Sequence, residues 1–105
     1  PKWISRWLAW LEARPIARAF HTINRSLRWL NGEVPLHLTP LERATMLTEL
    51  LPEASEVIMQ LLHEHEKTLF SPEAGDIEIA QDASAQITWA ALKKKMQKDS
   101  EKTEA

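Results

Sequence analysis

Cysteine is absent from the 105 residues of this chain, and glycine occurs only twice. The lack of cysteine excludes disulfide bonds, thiolate metal sites and cysteine nucleophiles together, and it fits a reducing compartment. So few glycines argue against a β protein with many tight turns. No segment approaches the roughly 18 to 20 apolar residues that a membrane-spanning helix needs. These absences leave a helical domain as the simplest expectation.

The residues that are abundant are good helix formers, namely alanine, leucine, glutamate, lysine, arginine and glutamine. Apolar residues make up 44% of the chain and charged residues 27%, so a folded globular domain is expected. A chain of this length forms one domain with a modest core. We predict an all-α fold, a small antiparallel bundle of four to five helices, because the predicted connections are short.

The first 32 residues predict two helical segments that are rich in tryptophan and basic residues. Residues 2–14 form a helix with a wide apolar face, made by Trp3, Ile4, Trp7, Leu8, Trp10 and Leu11. Pro15 either starts a second helix or kinks the first. The second segment has a narrow apolar seam of Ile16, Phe20, Ile23, Leu27 and Leu30. Gly32 after Asn31 is a typical helix stop.

Residues 39–92 predict three further helices. Thr39, Pro40 and Glu42 form a capping box at the start of a helix that runs to about Leu51. Pro52 begins the next helix, which ends near residue 70, and Asp76 caps the last one. The residues expected to face inward are Leu41, Ala44, Leu47, Leu50, Leu51, Ala54, Val57, Ile58, Leu61, Leu62, His65, Leu69, Ile79, Ala80, Ala83, Ile87, Ala90 and Ala91, with Trp89 and Leu92 off the last stripe. Residues 93–105 have little to bury and are expected to fray into a solvated tail.

Charge is distributed unevenly along the chain. Residues 1–30 carry six basic side chains against Glu12 alone, a net charge of +5, while the remaining residues carry −7. Two interpretations stay open. Either the basic helices lie on the acidic ones within one molecule, or the basic end faces an anionic partner.

The sequence His63-Glu64-His65-Glu66 has the composition of a metal site but not its spacing. On a helix, residues two apart point about 200° apart, so the two histidines cannot hold one ion, and the zinc motif needs them four apart. We expect His63 to be solvated and His65 to pack, partly buried, among Leu61, Leu62 and Leu69. No metal and no cofactor is predicted.

An enzyme active site is not predicted in this chain. The sequence has no glycine-rich phosphate loop, no G-x-S-x-G serine and no cysteine. The two predicted helices on either side of Pro52 have the arrangement of a helix-turn-helix. However, the second helix is acidic, with Glu53, Glu56, Glu64 and Glu66 but only one basic residue, Lys67. That charge would be repelled by phosphates, so nucleic-acid binding is kept only as an alternative.

Three segments carry a family resemblance. They are T-P-L-E-R-A at 39–44, L-L-P-E at 50–53 and H-E-K-T-L-F at 65–70. In this order they resemble the uncharacterised C-terminal domain of bacterial membrane-anchored transglutaminase-like proteins, and residues 76–92 are similar to that family's final helix. The chain departs from the family at 65–71, where His65, Lys67, Leu69 and Phe70 replace a tyrosine–arginine pattern and Ser71 stands where glycine is usual.

The resemblance implies a context for this chain. Such proteins have N-terminal membrane spans, an extracytoplasmic transglutaminase-like domain with a cysteine–histidine–aspartate site, one more span, and this domain on the cytoplasmic side. The chain would then be a C-terminal piece, with any catalytic site elsewhere in the parent protein. Its basic first third would lie beside the membrane, where lysine, arginine and tryptophan accumulate.

Our hypothesis is a non-catalytic accessory domain at the cytoplasmic face of a bacterial membrane, which binds a protein partner, itself or an anionic membrane surface. We expect a homodimer if the apolar face of residues 3–11 is not packed in the core. The alternatives are a nucleic-acid-binding helical domain and a metal-binding protein that uses His63 and His65. The candidate surface consists of Lys2, Trp3, Arg6, Trp7, Trp10, Arg14, Arg18, Arg25, Arg28 and Trp29.

Overall fold

The computed structural model describes residues 2–35, 37–71 and 74–104, with the side chains of 9–13 and 102–104 outside the description. Four α-helices account for most of this: α1 Lys2–Asn31, α2 Pro40–Leu50, α3 Ser55–Phe70 and α4 Ile77–Glu104. A short 3₁₀ turn, Pro52–Ala54, joins α2 to α3. The predicted all-α bundle is confirmed, and no strand occurs among the described residues.

Helix α1 is continuous through Pro15, so of the two alternatives given for this proline the start of a second helix is wrong. The proline ring removes one backbone donor, the N–H that would reach the carbonyl of residue 11, and leaves the other helical hydrogen bonds available. Burial of the seam from Ile16 onward supplies the packing that offsets this loss. The two predicted segments are therefore one helix of 30 residues, about 45 Å long.

The helix ends that were predicted from local signals are confirmed. The Thr39 side chain accepts the Glu42 N–H and the Glu42 carboxylate accepts the Thr39 N–H, both at 3.2 Å. The Asp76 carboxylate accepts the Ile79 N–H at 3.1 Å, which caps α4. Gly32 follows α1 with a φ of 84°, the left-handed conformation that glycine adopts freely. In addition, the Lys98 ammonium donates to the Leu30 carbonyl at 3.1 Å.

The core lies where α1, α3 and α4 meet, with α2 packed across α1 and α3. The predicted seam of α1 is buried along its whole length, from Ile16 to Leu30. Three residues predicted to face inward are exposed instead: Leu41 at 52%, Leu69 at 65% and Ile79 at 40%. Each lies in the first or last turn of its helix, where the neighbouring helices no longer flank it.

Helices α1 and α4 run in the same direction, and α3 runs against both. The hydroxyls of Thr22 and Ser84 hydrogen-bond between α1 and α4, and farther along the same pair Lys98 reaches Leu30. In contrast, the ring of His65 on α3 stacks on Phe20 of α1, while the later residue Thr68 lies near the earlier Ile16. Small residues on α4, namely Ala80, Ala83 and Ala91, are fully buried and allow α1 to approach closely.

The C-terminal segment differs from the expected frayed tail, because α4 continues as a helix to Glu104. Its described side chains from residue 93 to 101 are exposed, apart from half-buried Lys95. Lysine, glutamine, methionine and glutamate all favour the helix, which explains why it extends without burial.

The turn between α3 and α4 is held by the carboxylate of Glu64. From the sequence, this residue was predicted only to contribute to the negative charge of the helix after Pro52. Glu64 is only 3% exposed. Its carboxylate accepts a hydrogen bond from the Asp76 N–H at 2.8 Å. The same carboxylate forms an ion pair with the Lys67 ammonium at 3.1 Å. Beside it, a Cβ on Gly75 would lie 2.5 Å from Ile16 Cδ1 and 3.1 Å from the Glu64 carbonyl. The turn is therefore tightly packed against α1 at Ile16.

We predict that Glu64→Ala lowers the free energy of unfolding by about 2 kcal/mol, since it leaves the Asp76 N–H without its acceptor. Glu64→Gln keeps an acceptor oxygen and should cost less. Urea unfolding followed by circular dichroism measures both variants. Exposed Glu56 on the same helix is the control, and Glu56→Ala should change stability by less than about 0.5 kcal/mol. Equal losses for Glu64→Ala and Glu56→Ala would contradict this assignment.

Candidate interaction surface

The first half of α1 projects beyond the helical bundle. Ile16 is the first described side chain of α1 that belongs to the core, and it lies against Gly75, just before α4 begins. Before it, the side chains of residues 2–8 and Arg14 are exposed, and Pro15 is half-buried. We call residues 2–14 the α1 overhang. Its length is about 20 Å, and the molecule is correspondingly elongated, 63 × 27 × 18 Å.

The described part of the overhang carries an exposed apolar face. Trp3 is 69% exposed, Trp7 56%, Leu8 48% and Ile4 37%. At 100° per residue, the mean direction of these four side chains lies about 150° around the helix axis from the buried seam that begins at Ile16. The apolar face of α1 thus changes direction near Pro15. For this reason, the same helix cannot turn both faces toward the bundle.

Exposed arginines extend the line of the two tryptophans along α1. Trp3, Trp7, Arg14, Arg18 and Arg25 follow one another at intervals of 4, 7, 4 and 7 residues. These intervals are close to whole helical turns, so all five fall within a sector of about 60° on the side of α1 opposite the core. All five are exposed. We call this set the α1 stripe.

The other predicted surface residues lie around the stripe or outside it. Lys2 and Arg6 are exposed on the overhang, and Arg28 is exposed near the edge of the stripe. Trp29 is half-buried against the core and does not belong to the exposed surface. The side chain of Trp10 lies outside the described residues. The structure therefore brings most, but not all, of the predicted surface onto one side of α1.

The charge of Arg18 and Arg25 in the stripe is not neutralised by an ion pair among the described residues. The Arg25 guanidinium donates to the Thr22 hydroxyl at 3.1 Å, a neutral partner. For Arg18, Arg25 and Arg28, no carboxylate lies within ion-pair distance in the described part of the chain. This favours an external anion over the intramolecular interpretation of the charge asymmetry.

The two histidines of α3 are separated as their spacing predicts. His63 is exposed and His65 is half-buried. The His65 ring packs on Phe20, with ring centroids 4.2 Å apart and an interplanar angle of 13°, and Leu69, an expected neighbour, is exposed. Within the described ranges, no three side chains of the metal-ligating types come together.

Burial lowers the pKa of His65, because desolvation disfavours the charged imidazolium. Nearby His21 acts in the same direction, and Glu66 opposes it. A histidine whose pKa is lower in the folded state binds its proton more readily when unfolded. Stability is therefore greatest above the unfolded pKa of about 6.5 and falls as the pH decreases from there toward the folded pKa.

We predict that the free energy of unfolding decreases between pH 7 and pH 5.5, and that His65→Phe reduces this decrease. Phenylalanine keeps an aromatic ring against Phe20 but cannot take up a proton. Urea unfolding at a series of pH values measures the effect, with the exposed His63→Gln as the control. An unchanged pH dependence in His65→Phe would exclude His65 as its source.

One concavity of the described surface is an open groove. It has a volume of about 490 Å³ and is lined by Trp89, Lys93, Met96, Gln97, Ser100 and Glu101. All six residues belong to α4, so this groove has one wall only. Trp89 is 70% exposed and, as predicted, lies off the buried stripe of α4. Nothing in this geometry resembles an enclosed ligand site.

No described helix combines the length and the apolar character needed to cross a bilayer. Comparisons with protein families, with curated proteins and with solved structures find no match to this chain. The resemblance to the transglutaminase-associated domain therefore depends on the sequence alone, namely the three segments and residues 76–92.

Proposed function

We propose that this chain is a non-catalytic accessory domain that attaches to a membrane through the α1 overhang. The observation that carries the proposal is the exposure of Trp3 and Trp7 on a helix that projects from the folded bundle. The resemblance adds the wider context, a transglutaminase-like parent protein in which the domain lies at the cytoplasmic face of the membrane. In that context any catalysis belongs to another part of the parent protein.

The overhang has the properties of a segment that is completed by a partner. An isolated helix of about 14 residues is marginal in water, and most helical stability comes from packing of an apolar face. Here that face has no partner within the described chain. Amphipathic helices with tryptophan on one side and basic residues beside it bind in the interfacial layer of membranes. Lys2 and Arg6, which are exposed on the polar side of the overhang, supply its positive charge.

We predict that the purified chain sediments with bacterial inner-membrane vesicles and that Trp3→Ser/Trp7→Ser weakens this binding more than tenfold. Each tryptophan removed from the contact loses about 2 kcal/mol of apolar burial. The matched control is Trp89→Ser, which removes an equally exposed tryptophan from α4. Its binding should stay within about twofold of the original chain.

Two outcomes would contradict the proposed function. One is no binding of the original chain to these vesicles at low salt. The other is equal loss of binding in the Trp89→Ser chain, which would move the contact away from the overhang. Circular dichroism of all variants should show unchanged helix content in the bundle, since none of the three tryptophans is part of the buried core.

A further inference from the structure

We propose that the direct ligand of the α1 stripe is an anionic phospholipid surface, along which α1 lies flat. This inference rests on the proposed function and names the component of the membrane that is bound. Trp3 and Trp7 would enter the layer between headgroups and acyl chains. Arg18 and Arg25 would contact lipid phosphates farther along the same line.

The chemistry of the stripe matches a phospholipid interface at both ends. Tryptophan rings favour the boundary between headgroups and hydrocarbon. The guanidinium group of arginine forms paired hydrogen bonds with phosphate oxygens. Both kinds of side chain lie in one sector of one helix, and the distance from Trp3 to Arg25 along the axis is about 33 Å. A flat, extended anionic surface can contact this whole line without a complementary groove.

The direction of the stripe also separates the acidic part of the domain from such a surface. The stripe lies opposite the core face of α1, so α2, α3 and α4 are held on the far side of that helix. The residues after the first 30 carry a net charge of −7. With α1 between them and the lipids, repulsion by anionic headgroups is reduced by distance and by salt.

A second copy of the chain fits the stripe less well. The described apolar residues Trp3, Ile4, Trp7 and Leu8 expose on the order of 500 Å², below the roughly 800 Å² per partner of a stable interface. A two-fold symmetric contact presents the same patch from both copies. A parallel dimer, with its two-fold axis along α1, would bring the arginines of one stripe close to those of the other. This charge disfavours the parallel form of the homodimer that was expected from the apolar face alone.

The decisive experiment uses protein-free vesicles and the full chain. One vesicle preparation contains phosphatidylcholine alone, and the other contains phosphatidylcholine with a quarter of phosphatidylglycerol. We expect binding to the second preparation at low salt, little binding to the first, and a decrease with added salt.

The arginine contribution is tested by Arg18→Gln/Arg25→Gln. Since each basic residue near an anionic leaflet is worth about fivefold in affinity, this variant should bind about 25-fold more weakly. Glutamine at position 25 can still donate to Thr22. The charge-matched control is Lys93→Gln/Lys94→Gln, which removes two exposed lysines from α4 and should change binding by less than threefold.

Each contrary outcome has a definite meaning. Binding to native membranes but not to lipid vesicles would overturn this inference and leave the proposed function standing, with a membrane protein as the partner. Equal binding to both lipid preparations would exclude the role of anionic headgroups. Equal losses in the two double variants would exclude the stripe. Tighter binding to a short DNA duplex than to the anionic vesicles would favour nucleic acid as the ligand.

Discussion

A helix can turn only one side toward the bundle that it packs against, and this constraint governs the architecture of the protein. In α1 the apolar side chains change direction near Pro15, by about 150° around the axis. Burial of Ile16, Phe20 and Ile23 fixes the rotation of the helix. Trp3 and Trp7 are then directed away from the core. The exposed aromatic face is a geometric consequence of packing the second half of α1.

The bundle resists rotation of α1 because its contacts are specific. Small side chains on α4 allow close approach, and the Thr22–Ser84 hydrogen bond joins the two helices. At the level of Ile16, Gly75 and the buried Glu64 carboxylate hold the α3–α4 turn against α1. The overhang begins just beyond this turn. The closely packed contact of the α3–α4 turn with Ile16 therefore lies next to the exposed overhang.

Local chemistry predicted the helix ends well, because the cap at Thr39, the cap at Asp76 and the stop at Gly32 each depend on a few adjacent residues. Burial was predicted less well wherever it depended on neighbours from elsewhere. Leu41, Leu69 and Ile79 have the right spacing but lie in terminal turns. Glu64 follows Leu61 by three residues and so shares its buried side, yet its charge alone suggested the surface. The change of face at Pro15 was present in the sequence, but its consequence required the position of the bundle.

The central claim is that the overhang is uncovered in water and becomes covered on an anionic lipid surface. Hydrogen exchange of the backbone amides at residues 3–14, measured by mass spectrometry with and without phosphatidylglycerol-containing vesicles, tests it most directly. We predict fast exchange in water, since the described apolar side chains of this segment, at residues 3–8, are exposed. We predict strong protection when vesicles are added, while the amides of Ile23 and Leu27 stay protected in both. Strong protection of residues 3–14 in the monomer without lipid would contradict the claim.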